Sequence, residues 1–343
     1  MLRKIVFWCH LTAGATAGLV ILMMCVTGVL LMYERQIVAW ADRAFRSSAP
    51  AAGTPRLAPE ALLSVLSKTV ETRPATITIQ AEPAAPVEAA FTARILYLDA
   101  YTGQTLGEGS SGVRSFFRAV TDWHRWLALQ GSNRPLGRAI TGAGNLIFLF
   151  ILLSGMFIWM PRKWSWQSTR AVLWFRGGLT GKARDFNWHN VVGIWCAVPL
   201  VFIVLGSLVI SYPWATNLLY RLTGSPPPPA PQAPAVPPPG AARPPDNSSL
   251  ALDAAGLNGA FAQAARHVPG WRTITIRIPA STRTPFELAV AESHRGRPDK
   301  RHALVIDRSR GGLVRSESFA TYNTGRRLRL WLRFIHTGEA LGI

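Results

Sequence analysis

The sequence predicts an α-helical polytopic membrane protein that carries two small α+β domains outside the bilayer. Three features predict it: apolar runs long enough to cross a membrane, a strongly basic loop between two of them, and an internal duplication that repeats a short helix-and-strand pattern. The chain has 343 residues, 49% of them apolar, enough for two or three domains.

The spans come first. Ile5–Tyr33, Thr141–Met160 and Val191–Tyr212 carry hardly a charge. At about 1.5 Å of rise per residue, roughly 20 apolar residues cross a hydrocarbon core of about 30 Å. Arg3 and Lys4 precede the first run as they would in a signal peptide. The run is too long for an h-region, and no small-residue cleavage site closes it before Tyr33, Glu34 and Arg35, so it reads as a retained anchor.

Orientation follows from short-loop charge. Pro161–Trp188 holds Arg162, Lys163, Arg170, Arg176, Lys182 and Arg184 against Asp185, which assigns it, with Arg3 and Lys4, to the cytoplasm. Residues 34–136 and 213–336 are then expected in the periplasm of a bacterium, with the protein in the inner membrane. The predicted order is a first span to residue 34, an outer domain at 35–113, a juxtamembrane helix at 114–136 and a second span at 137–161. A basic loop (162–188), a third span (189–212), a Pro-rich linker (213–249) and a second outer domain (250–325) follow, and 326–343 reads as the start of a fourth span expected beyond Ile343.

A net charge of +19 raises nucleic acid as a partner. The basic residues are divided between a membrane loop and exported domains, which argues for a lipid bilayer and against nucleic acid. Cys9, Cys25 and Cys196 all fall in spans, so no disulfide framework is expected outside. The sequence has no C-x-x-C-H for covalent haem, no C-x-x-C pair, and no G-x-G-x-x-G after a strand for a dinucleotide.

Residues 226–245 are mostly Pro and Ala, a stiff spacer without core material. On either side of it one plan occurs twice. A helix-like stretch (Pro59–Val70; Leu252–His267) precedes T-I-T-I-Q at Thr76–Gln80 and T-I-T-I-R-I at Thr273–Ile278. A turn-bearing hairpin follows, with Asp99 and Gly103 in one copy and Asp307, Gly311 and Gly312 in the other. His10 and His189 open the first and third spans, and 23 residues on from each stands a tyrosine, Tyr33 and Tyr212. His124 and His336 lie in matching aromatic, arginine-rich stretches after the outer domains.

Four of the seven histidines therefore occupy duplicated positions at membrane boundaries. His10 with His189 at the inner face, and His124 with His336 at the outer face, suit paired axial ligands of b-type haem in a helical bundle, two haems in all. Gly14, Gly18 and Gly193 follow the inner histidines on the same helix faces and would admit a flat macrocycle. Lys4, Arg184, Arg125, Arg138 and Arg333 could meet its propionates. An aromatic belt at the interface would explain Trp8, Trp123, Trp126, Trp188 and Trp331 without a cofactor, but it does not require histidines at matched offsets. His267, His294 and His302 lack partners at ligand spacing and read as surface or core residues.

F-W-C-H-L-T-A-G at 7–14, D-W-H-R-W-L at 122–127, W-M-P-R-K-W at 159–164, F-N-W-H-N-V-V-G-I-W at 186–195 and F-I-H-T-G-E-A-L-G at 334–342 together resemble the PepSY-associated transmembrane family. That family includes iron-regulated inner-membrane proteins and ferric-siderophore reductases. The resemblance implies PepSY-like outer domains and a di-haem, four-helix core with His10, His124, His189 and His336 as iron ligands. It further implies reduction of a periplasmic ferric siderophore, with electrons from an unidentified donor such as a quinol or a flavoprotein. A membrane-anchored PepSY protein that controls proteases without redox chemistry is the alternative. A transporter ranks third, because no span has an ionisable residue at its centre.

Overall fold

A computed structural model describes all residues except 50, 52, 93, 162–164, 228–254, 280–283, 294–296 and 342–343, and it places a layer of helices on a sheet at one end of a helical bundle. Arg162, Lys163, His294, Leu252 and nearly all of the Pro-rich spacer lie outside the described residues.

The first half runs α1 (Leu2–Met32), α2 (Glu34–Ala41), α3 (Pro59–Thr69), β1 (Thr76–Gln80), β2 (Val87–Ala90), β3 (Ile95–Leu98), β4 (Thr105–Glu108), α4 (Ser111–Trp126), α5 (Arg134–Trp159) and α6 (Trp166–Leu173). The second runs α7 (Gly181–Ser211), α8 (Pro213–Leu222), α9 (Leu257–His267), β5 (Thr273–Arg277), β6 (Phe286–Ala291), β7 (Arg301–Ile306), β8 (Leu313–Ser318) and α10 (Thr324–His336).

Three helical segments are long and apolar enough to cross a membrane, Leu2–Met32, Gly131–Trp159 and Gly181–Ser211, with windows of mean hydropathy 2.3, 1.9 and 2.5. The helices outrun the apolar stretches: α7 begins ten positions before Val191, because hydropathy marks only the lipid-embedded part of a helix that continues into the interface. In the bundle α1 packs on α5 and α5 on α7, while α4 lies on α1 as α10 lies on α7.

The two outer domains expected from the sequence are halves of one sheet. Its eight antiparallel strands run β4-β3-β2-β1-β5-β6-β7-β8. The T-I-T-I strands meet at the centre, with Ile77 opposite Ile276, Thr78 opposite Thr275 and Ile79 opposite Ile274. Alternation puts these isoleucines on one face, buried beneath α3 and α9 with Leu62, Leu66, Leu257 and Ala260. The threonines point to the other face, where the hydroxyls of Thr78 and Thr275 share a hydrogen bond of 3.0 Å. Left apart, β1 and β5 would each be an exposed edge; pairing removes both.

The helices above the seam exchange caps. The Glu60 amide donates to Asn258 Oδ1 and the Asn258 amide to Glu60 Oε1, both at 3.0 Å. Each satisfies an orphan donor in the first turn of its helix. The hairpin turns are duplicated in atomic detail. Asp99 Oδ1 accepts from the amides of Tyr101 and Thr102, and Asp307 Oδ1 from those of Ser309 and Arg310. Gly103 and Gly311 close the turns at φ of +74° and +63°, which favours glycine.

Residues 326–336 are most of α10, and Thr337 and Gly338 make a turn after it. The first copy behaves alike: α4 ends at Leu127 and Ala128, with φ of 53° and 56°, before the chain enters α5. His124 therefore lies on α4, a helix separate from α5.

Candidate functional site

Each half of the chain supplies one histidine from a long helix and one from a short one: His10 on α1 and His124 on α4, then His189 on α7 and His336 on α10. The fold brings them together across the halves. The rings of His10 and His189 lie 6.3 Å apart, centroid to centroid, and those of His124 and His336 lie 6.2 Å apart. His124 packs against Thr27 and Gly28, so the two pairs sit at levels about 25 Å apart along α1.

These spacings fall in the ordinary range of packed rings and also suit a shared metal. A bond from imidazole nitrogen to metal is about 2 Å, so two rings in line on one ion hold their centroids about 6 Å apart. The ring planes cross at 79° and 46°, which is immaterial for axial ligands free to rotate about a common axis. Among the described residues no group of three His, Cys, Asp or Glu could hold a metal ion. A bare ion would find only two protein ligands at each pair, whereas haem brings four nitrogens of its own and asks the protein for two.

Glycines shape the surroundings. A Cβ at Gly155 would lie 3.2 Å from His10 Cε1 and one at Gly28 would lie 3.3 Å from His124 Cε1, so both rings rest against helix backbone. At Gly14, Gly18 and Gly193 a Cβ would meet nothing within 4 Å. The backbone is open there, on the helix faces that follow His10 and His189, as a flat ligand requires. The residues present therefore fit haem.

The rings are also oriented. Ser154 Oγ donates to the Phe150 carbonyl at 2.6 Å and lies 2.9 Å from His10 Nδ1. Thr27 Oγ1 donates to the Met23 carbonyl at 2.7 Å and lies 3.0 Å from His124 Nδ1. His336 Nδ1 lies 3.0 Å from the Ile203 carbonyl. None of these partners was singled out in the sequence. The available signal was a hydroxyl directly before a glycine inside an apolar run: Thr27-Gly28 and Ser154-Gly155.

The basic residues proposed for propionates are variously engaged. Arg184 pairs with Asp185 at 2.9 Å, and Arg125 stacks over Trp126 at 4.8 Å. Arg333 is exposed one turn before His336. Near it, Arg35 and Arg301 share the Glu339 carboxylate at 3.1 and 3.4 Å. Burial pushes the Arg301 guanidinium down, Glu339 counters this, and Arg35 and Arg333 push it further down. Two guanidinium groups thus share one carboxylate, with Arg333 close enough to act on Arg301.

The sheet is tied to the bundle by buried polar groups. Asp42, just past α2, accepts from the Ser110 amide at 2.8 Å, from Tyr97 Oη at 2.9 Å and from Arg114 Nη2 at 2.6 Å. Burial alone would raise this carboxyl, but hydrogen bonds from Arg114, Ser110 and Tyr97 outweigh it and hold it below the usual range. Of the histidines set aside, His267 bonds Ser316 Oγ at 2.9 Å and His302 pairs with Glu292 at 2.7 Å, both within the helix-and-sheet layer.

A search of curated proteins finds no match. The family model described as the PepSY-associated TM region matches residues 7–343, which includes all four paired histidines, both T-I-T-I strands, α5, α7 and all but the first turn of α1. With that match over nearly its whole length, the chain belongs to the PepSY-associated TM region family.

Proposed function

We propose that this chain is a haem-binding inner-membrane reductase that passes electrons outward to ferric siderophore in the periplasm, releasing ferrous iron. The observation that carries the reading is the pairing of His10 with His189 and of His124 with His336, each at the spacing of two imidazoles on one metal. Haem b, when bound, would supply one-electron redox chemistry, and two histidines would hold it at each pair.

The residues of the chain account for the rest. His10 and His189 would hold one haem near the cytoplasmic face, where a quinol or a flavoprotein could act as donor. His124 and His336 would hold the second near the sheet. The open backbone at Gly14, Gly18 and Gly193 admits the ring. Arg35, Arg301 and Arg333 cluster around the segment that follows His336 and would suit propionates or an anionic chelate. Hard oxygen chelators favour ferric over ferrous iron, so reduction alone loosens the metal.

The test is the reduced-minus-oxidised absorbance of the intact protein purified after expression with added haem. A Soret and α-band at two haems per chain is expected. A colourless preparation overturns the reading and leaves the anchored protease-control protein in its place.

A further inference from the structure

We infer that Ser154 and Thr27 are positioning residues that hold His10 and His124 in the tautomer protonated at Nδ1, leaving Nε2 of each free to bind metal. The inference rests on the haem reading and adds to it the groups that decide ligand strength.

The donor inventory sets the direction of these hydrogen bonds. A serine or threonine hydroxyl has one proton. Ser154 spends it on the Phe150 carbonyl at 2.6 Å, with Ile151 oxygen at 3.2 Å, and Thr27 on the Met23 carbonyl at 2.7 Å, with Met24 oxygen at 3.2 Å. Each oxygen can then only accept from the facing imidazole, so Nδ1 carries the hydrogen in His10 and in His124. His336 reaches the same state by a stronger argument, because its Nδ1 faces a carbonyl, which never donates.

One arrangement underlies all of them. At His10 the Ile151 carbonyl assists Ser154, at His124 the Met24 carbonyl assists Thr27, and both carbonyls lie three residues before the hydroxyl. Ile203, which serves His336, lies three residues before Gly206. The offset of 179 that relates Tyr33 to Tyr212 also relates Thr27 to Gly206 and Met24 to Ile203. In the second copy glycine stands in the place of the hydroxyl, and the carbonyl holds the ring alone. Packing agrees: a Cβ at Gly206 would lie 2.4 Å from the Leu332 carbonyl oxygen, so no threonine fits beneath α10 as it is placed.

Outer partners of this kind orient a ligating imidazole and raise its basicity, and their removal costs about 10–100-fold in affinity. Because the Ile151 and Met24 carbonyls remain within reach, the loss here is expected near the lower end, about tenfold.

The test uses the full chain loaded with haem and reads haem retention and midpoint potential at each site. Ser154→Ala is expected to weaken the inner haem about tenfold and raise its potential, since a less basic ligand stabilises the ferric state less, while the outer haem is unchanged. Thr27→Val is expected to do the same to the outer haem alone. Ser154→Thr and Thr27→Ser restore the hydroxyls and should restore both readouts, which a mere packing role would not. If a di-haem wild type gives potentials unmoved by Ser154→Ala and Thr27→Val, or if the hydroxyl-retaining variants shift them as far, this inference is overturned while the haem reading stands. A colourless wild type overturns both.

Discussion

Gly206→Ala tests how tightly α10 must sit on α7 to bring His336 to its partner. The added Cβ would lie 2.4 Å from the Leu332 carbonyl oxygen and 3.0 Å from His336 Cβ, where ordinary contact begins at 3.4 Å. Both obstacles are on α10 and one is backbone, so relief requires the two helices to part by about 1 Å, at an overpacking cost of about 1–3 kcal/mol. The Nδ1 bond of His336 to Ile203, now 3.0 Å, stretches out of range with the same movement. Ligand bonds tolerate about 0.2 Å, so a displacement of this size removes His336 as an axial ligand. The expected result is a protein with one haem in place of two, the inner absorbance intact, and a lower melting temperature. Gly193→Ala is the control. Its Cβ meets nothing within 4 Å, so the fold should hold or gain slightly, yet a methyl in that open space should impair the inner haem. A Gly206→Ala protein with unchanged stability and both haems would refute the close-packing argument.

His189→Ala should abolish the inner haem and leave the outer one, measured as haem per chain; loss of both or of neither would contradict two separate pairs. Cysteines placed by Thr78→Cys and Thr275→Cys face one another across the central strands and should cross-link on mild oxidation. After cleavage at a protease site inserted in the Pro-rich spacer, non-reducing electrophoresis would show the halves still joined; separate fragments would argue against a common sheet. Asp42 and Asp99 are both held below their ordinary value of 3.8, by hydrogen bonds that outweigh burial. Their stabilisation is therefore complete above that pH and disappears as pH falls through the lower folded values. Asp42→Asn should reduce the acid dependence of melting and cost about 1–3 kcal/mol at neutral pH, and an unchanged melting profile would tell against the Asp42–Tyr97–Arg114 cluster as the tie between sheet and bundle.

Much of the plan was legible in the sequence because the relevant physics is local. Apolar length marks α1, α5 and α7, and strict alternation marks β1 and β5 together with the face each buries. The pairing of histidines by depth followed from comparing the two copies. What was not legible depends on partners far along the chain. A period of two tells which side chains are buried but not which strand edge meets which, so the union of two four-stranded halves could not be read from T-I-T-I alone. The juxtamembrane helix was expected as an element of its own, but its end was set at 136 and not at Trp126, for a different reason. Leu127 and Ala128 take left-handed backbone without glycine, so the usual stop signal is missing until Gly131. The hydroxyls of Ser154 and Thr27 resemble ordinary helix back-bonding residues until the fold sets a histidine against each.

The seam in the sheet bears on the bundle below it. Neither half contains a complete pair: His10 needs His189, and His124 needs His336. The halves must therefore be held in one relative position, and the outer layer supplies contacts that do so. The Thr78–Thr275 bond and the reciprocal caps of Glu60 and Asn258 join residues 197 and 198 apart, and the antiparallel β1–β5 ladder is centred on that same threonine pair, so all of them lie about one pseudo-two-fold relation. Asp42 with Arg114 passes that geometry to α4, and Glu317 with Arg326 at 2.8 Å passes it to α10, the two helices that carry the outer histidines. A long helix pair in lipid gains little from the hydrophobic effect, since acyl chains are as apolar as its side chains. The sheet, by contrast, buries isoleucines from water at the seam and fixes register to a single residue, because a slip by one would turn Ile77 and Ile276 to the polar face. Mutations at this seam should consequently be felt first at the outer histidine pair, whose helices are tied directly to the sheet, and less at His10 and His189, which α5 and α7 hold at the far end of the bundle.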